Sequence, residues 1–324
     1  MHSSRTPVLA FTLAAALLAA PAFGRSEIFT LNDPRGDDHG DGNYVYPLND
    51  ELNEGDLDLL SLTARREGAG TQFELTFARP VKTPGRVAID YSGTQLDTVA
   101  RFGFYTLNVD LYIDMDRAPG SGGTSMLPGR LAEIDPASAW ERAVVLTPRP
   151  HEARGELKRM LARQLRQDAR DEDSDLGQAQ LEALQKQIPG DVESRIFFPT
   201  QVRVRGSKIS FFVPDSFLGG PAKDTWSYVV AVSAADLLQS FDVNRALGRQ
   251  SEDEEALMIL PVSPGKWQDR IGGGREGAPL QPPLMDIIAP EGRKQETILG
   301  DFDSRARRPA VLPGVVPAEQ PKKK

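Results

Sequence analysis

The run Leu107-Asn108-Val109-Asp110-Leu111-Tyr112-Ile113-Asp114 carries a bulky apolar residue at every second position. Wound as a helix, those side chains would scatter around the axis; extended, they share one face. The pattern therefore requires a sheet with a buried side. Phe73, Leu75 and Phe77 repeat the alternation, and Asp56 to Leu62 does so at Leu57 and Leu59 before slipping a step to Leu60 and Leu62. Gly68 to Gly70 lies between these two runs and predicts a hairpin.

Further strands are expected at Ser26 to Leu31, Arg195 to Phe198, Gln201 to Arg205, Lys208 to Val213 and Trp226 to Val232. Gly206-Ser207 forms a tight turn between the Gln201 and Lys208 strands. Met258 to Val262 and Thr297 to Phe302 read as two more, and Ala137 to Val145 as a helical turn that finishes as a strand. From Glu152 to Gln187 the period changes. Leu157, Met160, Leu161 and Leu165, then Leu176, Ala179, Ala183 and Leu184, follow helical spacing around the acidic break Asp171 to Asp175. The fold class is thus all-β, an antiparallel β-sandwich with an inserted helical hairpin at 152–187. The hairpin presents a solvated charged face; the alternative is an arm that docks a protein partner in the cell envelope.

Residues 1–24 read as a secretory signal, with Arg5, an apolar run from Val8 to Ala20, and small residues before Arg25. No later stretch is long and apolar enough to span a membrane. With no cysteine, neither disulfides nor a lipid-modified N-terminus is available. The expected location is periplasmic or extracellular, as a free protein. Residues 25–303 form one domain, and 304–324, rich in Pro and ending in three lysines, are expected to be disordered.

Charge and histidine content narrow the function. The net charge of −8, with Arg5 still to be lost, argues against nucleic acid and anionic membranes as partners. Beyond the signal, only His39 and His151 remain, and neither setting suggests a catalytic base or a zinc site. A glycoside-active enzyme would need a carboxylate pair such as Asp114 and Asp116. Nothing else in the sequence marks those two as catalytic, so no enzyme activity is assigned.

One stretch has a composition that packing does not require. Asp33 to Asn43 holds four aspartates and three glycines in eleven residues, followed by Tyr44, Val45, Tyr46 and Pro47. Crowded carboxylates repel, and a hard cation with oxygen ligands offsets that repulsion. Calcium is the expected ion, with Asp37, Asp38 and Asp41 as ligands and Asp114 completing that site or making another. An EF-hand does not fit: with Asp37 at its first position, the third is His39 and the twelfth Leu48. The competing account is an Asx-turn loop whose aspartates cap backbone amides. Trp140, Trp226, Trp267, Tyr44, Tyr46 and Tyr105 are the aromatics available to stack on sugars, although core packing is the commoner role for any one of them.

The motifs GDDHGDGNYVYP after Asp33-Pro34, GDLDLLSL, VDLYIDMD, AWERAVVL, IGGGREG and MDIIAPEG together resemble the C-terminal domain family of bacterial glucodextranase. The resemblance covers roughly 26–303. It implies a DOMON-like sandwich of the kind seen in carbohydrate-binding modules. It also implies a non-catalytic role in binding an α-glucan or envelope polysaccharide, because the glucodextranase domain accompanies a catalytic one. It assigns no sugar-contact residue.

Overall fold

The computed structural model describes residues 26–85, 95–96, 100–118, 120–170, 177–236 and 257–320. The expected signal at 1–24 and the terminal lysines lie outside these residues. The first sheet has the order β1 (Glu27–Asn32), β2 (Leu59–Glu67), β3 (Gly70–Phe77), β9 (Lys208–Pro214), β8 (Val202–Arg205), all antiparallel. The second has the order β11 (Asp286–Ile287), β10 (Ser227–Ala234), β4 (Leu107–Asp114), β6 (Arg142–Leu146), β7 (Ile196–Phe197). Short strands β5 (Ala132–Ile134) and β12 (Ala310–Leu312) form a parallel pair.

The two large sheets bury their alternating residues against each other. Leu62, Phe73, Leu75, Ile209 and Phe211 come from one sheet, and Leu107, Val109, Leu111, Tyr228 and Val230 from the other. Each such side chain contributes about 1.5–3 kcal/mol by leaving water. The slip from Leu59 to Leu62 is a β-bulge: the register between β2 and β3 shifts between Leu59 and Ser61. One extra residue reverses the phase, so Leu59 and Leu62 both reach the core.

Every residue of β4 and β10 is buried because the second sheet is covered on both faces. Its outer face carries Tyr112, Val145, Val229 and Ala231, packed under helix α1 (Pro150–Asp168) through Ala153, Leu157 and Met160. Helix α2 (Gln178–Arg195) adds Val192. The hairpin has a topological reason: β6 and β7 are parallel neighbours, and parallel strands need a long crossover rather than a turn. It extends beyond the expected 152–187 at both ends. Among the described residues no helix is long and apolar enough to cross a membrane.

Three expectations are corrected. Met258 to Val262 makes only isolated bridges, Ala235 to Ile259 and Val262 to Ile271. Thr297 to Phe302 is not a strand. After the short turn α3 (Asp215–Leu218), helix α4 (Gln295–Gly300) takes up this segment, and one helical turn lays the adjacent Ile298 and Leu299 onto the core together. Residues 304–320 are structured: β12 pairs with β5, Ala310 and Leu312 are buried, and Val315 bridges Tyr228. Its order comes from partners distant in sequence, which its own composition does not announce.

Candidate functional site

The acidic loop runs from the end of β1 across the sandwich edge, where β1 borders one sheet and β11 the other. Glycine is required at two of its contacts. At Gly40 (φ +58°) an added Cβ would strike the Tyr44 ring and the Leu284 carbonyl, and at Gly273 (φ +80°) it would strike the Asn43 carbonyl. The loop is thereby pressed against residues 272–285. Gly40 N–H donates to the Met285 carbonyl at 2.9 Å, and Val45 and Gly272 exchange backbone hydrogen bonds. Gln295, buried in α4, donates to the carbonyls of Asp37, Gly40 and Met285 while its Oε1 accepts from Ile287 N–H at 2.7 Å.

The four aspartates named from the sequence do not form one site. Asp38 accepts from the Tyr46 hydroxyl and from Gly55 N–H at 2.9 Å. Asp41 is held by Arg275 Nη2 at 2.9 Å, Gln281 Nε2 at 3.0 Å and the Asn43 amide. Asp114 belongs to a separate cluster with Asp116 and Glu141. Asp114 pairs with Ser227 and Asp286 with Val232, so five residues of β10, roughly 17 Å, separate the two ends. In the Asp114 cluster the acids are supplied with donors: Arg117 N–H to Asp114 at 2.6 Å, Ala118 N–H and Ser121 Oγ to Asp116, and Met115 N–H to Glu141. Burial raises Asp114 and Glu141, and the Ala118 amide lowers exposed Asp116.

Only Asp37 enters a cluster at the acidic loop, and its companions were not named as ligands from the sequence. Oxygens of Asp33, Asp37 and Asp286 all lie within 4.8 Å of one another. Asp33 directly follows β1, and Asp286 sits in β11, fully buried, with one oxygen accepting Leu59 N–H at 2.6 Å across the sandwich edge. Asp58, just before β2, adjoins them and accepts Gly36 N–H at 2.8 Å. Both Asp33 oxygens and one oxygen each of Asp37, Asp58 and Asp286 are buried with no hydrogen-bond donor. Burial, then repulsion from Asp37, pushes Asp33 up to about 8; the Asp286 side chain and the Ala289 amide oppose part of that rise. Burial, with repulsion from Asp58, brings Asp37 to about 6 against its own backbone amide. Burial, then Asp33 and Asp37, holds Asp286 well above the ordinary carboxylate range. Asp286 had a visible signal: a lone carboxylate inside the apolar run Leu284 to Ala289.

Of the six aromatics named as possible sugar contacts, five are core residues and Trp267 is 59 % exposed. Its carbonyl accepts Leu48 N–H at 2.8 Å, and Gln268 O accepts Asn49 Nδ2 at 2.6 Å, so the return of the acidic loop fixes its backbone. Leu48, 58 % exposed, lies beside it in the chain pairing.

A family model described as the C-terminal, SLH-like binding module of glucodextranase matches residues 28–316. The chain belongs to this family. The match runs past residue 303 and takes in β12, in agreement with its place in the fold. The glucodextranase module family is one of binding modules rather than catalytic domains. No curated protein matches the chain.

Proposed function

We propose that this member of the glucodextranase C-terminal module family is an exported, non-catalytic carbohydrate-binding protein, with an α-glucan or an envelope polysaccharide as ligand. Family membership supports binding, and the signal-like N-terminus supports export. The observation that carries the sugar reading is Trp267. An indole left 59 % exposed on a paired backbone gives up hydrophobic stabilisation that the other two tryptophans gain by burial. A flat apolar face of that kind matches the apolar face of a pyranose ring.

Affinity electrophoresis tests the reading. The protein is expected to be retarded in gels containing soluble α-glucan or an envelope polysaccharide, and Trp267→Ala to migrate freely with its melting temperature unchanged. Free migration of the wild-type protein in every such gel would overturn it.

A further inference from the structure

We propose that Asp33, Asp37 and Asp286, with Asp58 adjoining, hold one hard divalent cation, and that the cation is calcium. The carboxylates come from three separate parts of the chain: the end of β1, the acidic loop and β11. Their oxygens are already within 4.8 Å of one another. Across a calcium ion with bonds of 2.3–2.6 Å, opposite ligands sit about 4.6–5.2 Å apart, against about 4.0–4.2 Å across magnesium. Separations under 4.8 Å are compatible with oxygens sharing a calcium ion. Zinc is poorly served, since every side-chain ligand here is a carboxylate oxygen.

The second observation is independent of the clustering. Asp286 is 0 % exposed and Asp33 8 % exposed, yet one Asp286 oxygen and both Asp33 oxygens are buried without a hydrogen-bond partner. Buried carboxylates are costly unless paired or bound to metal. None of the ion pairs formed among the described residues involves Asp33, Asp37, Asp58 or Asp286. Elsewhere in the same fold a guanidinium neutralises buried Asp110. Half-buried Asp37 leaves the cluster a side from which an ion and its waters enter. An ion at this point joins the ends of β1 and β11, one from each sheet, and anchors the acidic loop between them.

The test is calorimetric and thermal, on the chelator-treated full chain without any sugar, so its outcome is separate from that of the glucan gels. Titration with CaCl2 is expected to give a single site and to raise the melting temperature, with MgCl2 weaker by tenfold or more. Asp286→Asn and Asp33→Asn, which relieve repulsion and are expected to fold, should each lose the calcium-dependent rise, while Asp114→Asn keeps it. Absence of both heat and melting shift at millimolar calcium in the wild-type protein would mean that protonation alone neutralises the cluster, and would overturn the proposal. A full calcium response in Asp286→Asn would overturn it equally, by placing the ion elsewhere.

Discussion

Arg130 closes a two-pronged pair with Asp110, Nε to Oδ2 at 2.6 Å and Nη2 to Oδ1 at 3.0 Å, with both side chains almost wholly buried. The guanidinium also donates to the carbonyls of Pro128 and Leu257 and so ties the loop before β5 to β4 and to residue 257. Tyr112 completes the group, donating from its hydroxyl toward Asp110 and accepting Leu127 N–H. Removing one partner leaves an uncompensated buried charge. Arg130→Met is expected to cost about 3–5 kcal/mol in urea denaturation, and pairing it with Asp110→Leu to recover most of that loss. Equal costs for the single and double variants would show that packing, not charge, dominates.

Glu74 on the outer face of β3 accepts from Lys208 Nζ at 2.7 Å and Arg65 Nη1 at 3.2 Å, bridging β2, β3 and β9. Burial alone would raise its pKa, but the two cations outweigh burial and hold it below the ordinary value. The folded state thus binds its proton less tightly than the unfolded chain. The stabilisation is complete above about pH 5 and fades as pH falls through the lowered folded value. Glu74→Gln is expected to cost about 0.2–1 kcal/mol at neutral pH, and the gap in melting temperature to close toward pH 3. A gap independent of pH would exclude this charge effect.

Gly40 adopts φ +58°, and its α-carbon faces the Tyr44 ring and the Leu284 carbonyl. Gly40→Ala meets both the backbone strain and the contact, and should destabilise by about 1–3 kcal/mol. Gly36→Ala is the control: its φ is also positive, +84°, but no atom lies near the added carbon. A thermal scan should show the larger loss at Gly40.

Leu312 is fully buried in β12, in the segment expected from composition to be disordered. Leu312→Ala should cost about 2–5 kcal/mol in chemical denaturation. A loss below about 0.5 kcal/mol, the level of an ordinary surface change, would detach this segment from the core.

Much of the architecture was legible because burial on one face imposes a period of two. β3, β4, β9 and the hairpin between β2 and β3 follow directly from Phe73, Leu107, Ile209 and their alternating neighbours. Leu57 to Leu62 even recorded its bulge as a slipped phase. Short segments failed the same test. Ile298 and Leu299 are too few to display a period, and Ala310 to Leu312 is structured by pairing with β5 at a separation that no local pattern encodes. The candidate site was half legible. Aspartate density pointed to the right loop, but density alone does not reveal which carboxylates meet donors.

The sequence by itself determined the sandwich, the helical hairpin and the loop where negative charge accumulates, because each rests on local composition or periodicity, and its motifs pointed to the family. Tertiary structure decided which charges remain uncompensated. Asp38 and Asp41 lie in the densest acidic stretch, yet folding brings Tyr46, Gly55, Arg275 and Gln281 to them. Asp33 and Asp286 are more than two hundred and fifty residues apart in the chain, and only the meeting of the two sheet edges sets them within ligand distance, with one Asp286 oxygen and both Asp33 oxygens left without a hydrogen-bond partner.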